Sequence, residues 1–234
     1  MTESQKAFLE GTKSFAQVLP AIIPFGLIVG YSAVNAGVPL TGSVLMSFVC
    51  YAGAAQLAAL SLMAHHAPAL AVILTGLVIN ARFAMYSASL APHLRGLTAP
   101  RRALYAYMLS DQAFAVHAAR YSGPATDDPA EDLRRKWYYF GAAFSMWATY
   151  CVVSVIGVFV GALVPKSWSL DFAVPLAFMA LLFPVLRDRP ALIAAGASGA
   201  VALAARALPY NLGLLLAAFC GIGAGVLAEI RSKR

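Results

Sequence analysis

Residues 138–164 read YYFGAAFSMWATYCVVSVIGVFVGALV. The stretch carries no charged side chain and exceeds the about 20 apolar residues a helix needs to cross the hydrocarbon core. In that core every backbone N–H and C=O must be bonded within the protein, so an unbroken apolar run of this length is a helix. A membrane strand would alternate apolar and polar residues with period two, and this run does not. Comparable runs recur along the chain. The candidate segments are about 15–35, 42–64, 69–91, 103–119, 138–164, 172–186, 191–208 and 212–230. The expected fold is an all-α polytopic integral membrane protein with six to eight transmembrane helices in one transmembrane domain over 1–234.

Composition agrees. Of the 234 residues, 61% are hydrophobic and 12% charged, against about half and about a quarter in soluble domains. Mean hydropathy is +0.74. Disorder is excluded, because it requires low hydrophobicity. The net charge of +7 does not indicate nucleic-acid binding. The 17 Lys and Arg sit almost entirely in loops and tails, as they do on the cytoplasmic side of membrane proteins. The polar start, MTESQKAFLEGTKS, leads into an apolar run with no small-residue cleavage pattern, which reads as a retained first span. Cys50, Cys151 and Cys220 all fall in apolar runs without CxxC spacing and read as small buried hydrophobes.

Two segments are imperfect as spans. Segment 69–91 carries Asn80 and Arg82 near its centre, and 103–119 is short and contains Ser110, Asp111, Gln112 and His117. If all eight segments cross, eleven basic residues lie inside and five outside. If 69–91 is broken or re-entrant and 103–119 does not cross, loop 92–102 moves inside and the tally becomes fourteen to two. The positive-inside rule favours the second arrangement, and the rarity of re-entrant segments the first. Both place the two termini in the cytoplasm. Loop 120–137 is the one long polar connection, and Trp137, Tyr138 and Tyr139 at its end suit the headgroup layer.

Pro20, Pro24 and Gly26 crowd the first span, and Pro175 and Pro184 mark 172–186. Each proline is either a functional break exposing backbone to a substrate or an ordinary kink. Three Gly-x-x-x-Gly pairs, Gly26–Gly30, Gly157–Gly161 and Gly221–Gly225, serve either packing within the chain or a partner helix.

Chemistry concentrates in a few polar residues. Arg82 is the least expected, because a guanidinium at the bilayer centre costs about 2.5–3.5 kcal/mol and needs a partner or water. Helical spacing puts Arg82, Tyr86 and Ser89 on one face and Asn80 and Ser87 on a neighbouring strip. Asp111, the acid inside a candidate span, is the natural partner of Arg82 and the candidate ion-coupling residue. The pair serves either as a structural clamp or as a proton-coupling site. Gln56, beside Gly53, Ala54 and Ala55, serves either a ligand or an interhelical hydrogen bond. Asp171 reads as a helix N-cap. His65, His66 and His93 show no metal-ligand spacing and read as solvated loop residues, so no metal or cofactor is expected. Walker, HExxH and GxSxG motifs are absent from the sequence, as is a channel-filter motif. The chain reads as a non-enzyme.

The stretch INARFAMYSASLAPHL at 79–94 resembles the signature of the azaleucine-resistance (AzlC-type) branched-chain amino acid permeases. FAQVLPAIIPFGLIVG at 15–30, YAGAAQLAAL at 51–60, SDQAFAV at 110–116 and LDFAVPLAFMALL at 170–182 resemble further family segments in order. His-Ala-Ala-Arg-Tyr at 117–121 matches no family feature. The resemblance implies a bacterial inner-membrane permease that exports branched-chain amino acids beside a small hydrophobic (AzlD-type) subunit. On that reading Gln56, Asn80, Arg82, Tyr86 and Ser87 bind substrate and Asp111 couples an ion. The alternative is a non-transporting subunit that assembles or regulates a partner transporter.

Overall fold

The computed structural model describes residues 1–121, 123, 125–163, 186, 188–206 and 212–232. Segment 172–186, Asp171, Pro175 and Pro184 lie outside these apart from residue 186. The described helices are α1 (Glu3–Phe15), α2 (Leu19–Asn35), α3 (Leu40–Val49), α4 (Gly53–Ala64), α5 (Ala69–Asn80), α6 (Arg82–Leu90), α7 (Ala99–Tyr107), α8 (Asp111–Arg120), α9 (Pro129–Leu163), α10 (Arg189–Ala204) and α11 (Leu212–Ser232).

Three of the described helical stretches are long and apolar enough to cross a membrane: Glu3–Asn35, Ala69–Leu94 and Pro129–Leu163. The first begins well before the expected span. It opens on a capping box between Thr2 and Gln5, which satisfies the free first-turn amides, and a short 3-10 turn joins α1 to α2. Pro24 lies inside α2, and Pro20 falls in its first turn, where no intrahelical donor is lost. The prolines of the first span therefore do not divide it.

The first and third stretches form the packing axis. Contacts run in rising order: Gly11 meets Tyr138 and Ala142, Gly30 meets Ser154 and Val158, and Gly161 meets Tyr31. The two stretches are therefore parallel. A Cβ on Gly30 would collide with the Ser154 carbonyl, and one on Gly157 with that of Leu27. Glycine is what permits this backbone approach. The pairs at 26–30 and 157–161 thus serve packing within the chain, and Gly221 and Gly225 likewise pack α11 on α10.

Parallel stretches require an odd number of crossings between them, and contacts identify which segment crosses. Lys136 donates from Nζ to the Arg95 carbonyl (2.5 Å), and Glu10 binds both Arg120 (2.7 Å) and Arg134 (3.3 Å). The N-terminus, loop 92–98, the end of α8 and the start of α9 thus share one end of the molecule. Segment 69–94 arrives at this end from the opposite one and so runs the length of the molecule, as a crossing helix would. Its interruption is confined to Ala81, whose φ of −55° and ψ of −29° stay helical.

The true turns-back lie elsewhere. Segment 42–64, expected as one span, is two helices joined by Cys50–Tyr51–Ala52, and 103–119 is two helices joined by Met108–Leu109–Ser110. The α3–α4 pair enters from the far end and returns to it. The α7–α8 pair enters from the basic end and returns to it. Their tips meet near Tyr150 and Trp147 of α9. Tyr51 packs on Tyr107 and Tyr150 (ring centroids 6.1 and 5.5 Å), and Trp147 Nε1 donates to the Tyr107 hydroxyl (3.0 Å). Two opposed helical hairpins are therefore clamped between the long stretches.

Two smaller expectations fail. Tyr138 and Tyr139 are buried. They face His117, Tyr121 and Tyr105 rather than headgroups, because the parallel helix pair draws this part of α9 inward. Cys151 is buried, but Cys50 and Cys220 are exposed. On a membrane protein an apolar side chain can face lipid as readily as core.

Candidate functional site at the hairpin tips

Breaking a helix leaves its terminal carbonyls and the amides of its successor without intrahelical partners. At the first tip, the Tyr107 hydroxyl donates to the Phe48 carbonyl (2.5 Å) and the Cys151 thiol to that of Ser47 (3.6 Å), capping the end of α3. The N-terminus of α4 has no side-chain cap. Gly53 allows the Phe25 ring to lie directly against this turn, where a Cβ would overlap it. At the second tip, Ser110 caps α8 by accepting from the Ala113 amide (3.2 Å). Asp111 is the first residue of α8, where its charge complements the helix dipole.

The α4 and α8 N-termini open on a cavity of ≈ 360 Å³ lined by Ala52, Gly53, Ala54, Ser110, Asp111 and Gln112, together with Arg82, Tyr86, Phe25, Tyr51, Met146 and Tyr150. Arg82 Nη2 lies 3.0 Å from Asp111 Oδ2, with the side chains 35% and 34% exposed. The expected pair therefore forms. Among the described residues, Arg82 Nε and Asp111 Oδ1 are buried without hydrogen-bond partners. Tyr86 stacks on Phe114 of α8 (4.5 Å), which holds α6 against α8, and it feels the charges of both Arg82 and Asp111.

Gln56 and Asn80 line a second cavity, of ≈ 410 Å³, which shares Tyr51 and Ala52 with the first. Gln56 is 2% exposed and accepts at Oε1 from the Tyr150 hydroxyl (2.8 Å). Gln56 Nε2 and Asn80 Oδ1 are buried without partners among the described residues. Ser87 and Ser89 are exposed and line neither cavity. The groove expected along one helix is thus two chambers separated by a hairpin tip.

This geometry accompanies a family relationship. The AzlC protein family matches residues 17–164. The chain belongs to the AzlC protein family. The matched region contains both hairpins and all three long stretches except the start of the first. Among relatives, the inner membrane protein YgaZ of Escherichia coli (strain K12) is 27% identical over 205 residues, 83% of this chain and 80% of the relative. An uncharacterized membrane protein of Helicobacter pylori is 28% identical, covering 73% and 70%. One of Archaeoglobus fulgidus is 27% identical, covering 92% of each chain. No solved structure is a significant match. This AzlC-family chain is a membrane protein whose described elements are all helices, and the relatives are membrane proteins by name.

Several site residues escape a reading by segments. Tyr51, Tyr150 and Phe25 look like ordinary span residues, and Ser110 becomes a cap only once the helix breaks. The run Ser110-Asp111-Gln112, an N-cap sequence in mid-segment, is the available signal. His93, expected in solvent, has a buried Nδ1 and packs on His117 (5.6 Å).

Proposed function

We propose that the chain is a secondary transporter that exports branched-chain and similar apolar amino acids across the bacterial inner membrane. It uses an ion gradient, with protons as the ion, and works with a small hydrophobic membrane subunit. The observation that carries this reading is the Arg82–Asp111 pair facing two half-helix N-termini in one cavity. Broken-helix N-termini attract a substrate carboxylate. A zwitterion inserted between the two side chains gives its carboxylate to Arg82 and the α4 and α8 amides, and its ammonium to Asp111. The aliphatic side chain then faces Phe25 and Met146. A proton on Asp111 removes the ammonium's partner, so proton and amino acid exclude one another, as exchange requires. The basic end of the molecule is assigned to the cytoplasm, because within residues 1–163 the loops of the far end carry no Lys or Arg.

The test is efflux of preloaded labelled leucine and valine from cells. It compares the chain alone, the chain with its small neighbour, and each with Arg82→Ala. Efflux that needs Arg82 and both chains supports the proposal. No efflux in any combination, with the proteins verified in the membrane, overturns it in favour of a non-transporting subunit.

A further inference from the structure

The ≈ 410 Å³ cavity has an electrostatic character opposite to that of the Arg82 cavity. It is lined by the last turns of α3 (Met46, Val49) and α7 (Ala106, Tyr107). Helix C-termini carry the negative end of the dipole and attract cations. Among the described residues no charged side chain lines it; Arg82 lines the other chamber, paired to Asp111, with its guanidinium 5.5 Å from the centroid of the Phe83 ring that borders this one. Three aromatic rings border it, those of Tyr51, Phe83 and Tyr107, and ring faces attract organic cations. Asn80 adds a buried acceptor, Oδ1, without a partner. Gln56, fully buried, has an unpartnered amide end as well. The Tyr150 hydroxyl can serve either end of that amide, so turning it over presents Oε1 to the cavity.

The geometry points to a second binding site in this cavity, for an aliphatic ammonium ion that lacks a carboxylate. The walls Val49, Leu109 and Phe83 take the hydrocarbon part, and Asn80 Oδ1, beside the negative dipole ends of α3 and α7, takes the ammonium. The volume lies in the range of about 300–1,000 Å³ found for small-molecule sites. Its apolar walls suit an alkylamine better than a strongly hydrated inorganic ion. The inference extends the transport reading by placing a carboxylate-attracting and an ammonium-attracting chamber beside one hairpin tip, with Tyr51 and Ala52 in the walls of both.

The experiment is calorimetric titration of the purified full chain in detergent, supported by thermal unfolding. The probe is isobutylamine hydrochloride at neutral pH. Isobutanol serves as its neutral isostere, and sodium chloride at matched ionic strength as the inorganic cation. The site requires that isobutylamine bind and raise Tm while isobutanol and sodium chloride do neither. Asn80→Leu should weaken isobutylamine binding by about tenfold, the loss of one charge-assisted hydrogen bond. Equal effects of isobutylamine and isobutanol overturn the inference, as does a sodium effect matching that of the amine, and neither comparison needs a variant to fold. Leucine is titrated in parallel. Leucine binding without amine binding removes this site alone, and amine binding without leucine binding removes the transport reading alone.

Discussion

Arg82 and Asp111 are the first residues of two different helices, α6 and α8, and their side chains meet at 3.0 Å. The pair ties the crossing stretch 69–94 to the tip of the hairpin that rises from the basic end. About a third of each side chain remains exposed, so the bond itself contributes only about 1 kcal/mol or less. Its importance lies in what each group does when the other is replaced by a ligand.

Arg82→Gln and Asp111→Asn are therefore expected to leave unfolding temperature within a few degrees of the parent while lowering leucine efflux at least about tenfold, the effect of one lost charged contact. With Asp111 as the coupling group, leucine binding in the parent depends on pH. In Asp111→Asn that dependence disappears. Calorimetric titrations of leucine at several pH values check both, and an unchanged pH dependence in Asp111→Asn removes Asp111 as the coupling group.

Gly53 sits where a Cβ would overlap the Phe25 ring and lie 3.2 Å from Tyr150. Gly53→Ala should destabilise by about 1–3 kcal/mol through overpacking and reduce transport by shifting the α4 N-terminus. Shortening the ring should relieve it, so Gly53→Ala/Phe25→Leu is expected to be less costly than the sum of its single changes. Thermal unfolding of the four-member cycle measures this, and additivity counts against the contact.

Glycine positions should separate sharply in a substitution series. Gly30→Ala drives a methyl into the Ser154 carbonyl, and Gly199→Ala meets nothing within 4 Å. The first should cost about 1–3 kcal/mol. The second should be neutral or stabilising by up to about 1 kcal/mol, from helix propensity. Chemical unfolding in detergent reads the difference.

The opposed hairpins fix which loops share a side. With the native cysteines replaced, Thr98→Cys and Asp127→Cys should be labelled by an impermeant maleimide only from the face that also exposes the N-terminus. His65→Cys should be labelled only from the other face. Labelling of Thr98→Cys and His65→Cys from one face would show that 69–94 does not cross.

The class of molecule and the chemistry available to it are legible in the sequence. Apolar runs of helix length, such as 138–164, leave no soluble alternative, and Arg82 and Asp111 stand out because charge is costly in a bilayer. Their pairing was legible for the same reason: each needs a partner at that depth. Which segments cross was not legible. A re-entrant hairpin and a spanning helix both need continuous apolar surface, so 42–64 reads the same either way, and the break at Cys50–Tyr51–Ala52 contains no proline or glycine. Tertiary structure decided it, because Phe25, Cys151 and Tyr107 pack against or cap the broken ends, and a helix opens where neighbours satisfy its freed backbone groups. The same packing sent Gln56 and Asn80 to one chamber and Arg82, Tyr86 and Asp111 to the other, and left Ser87 outside both. Helical periodicity orders residues around one axis, and the site is made by several.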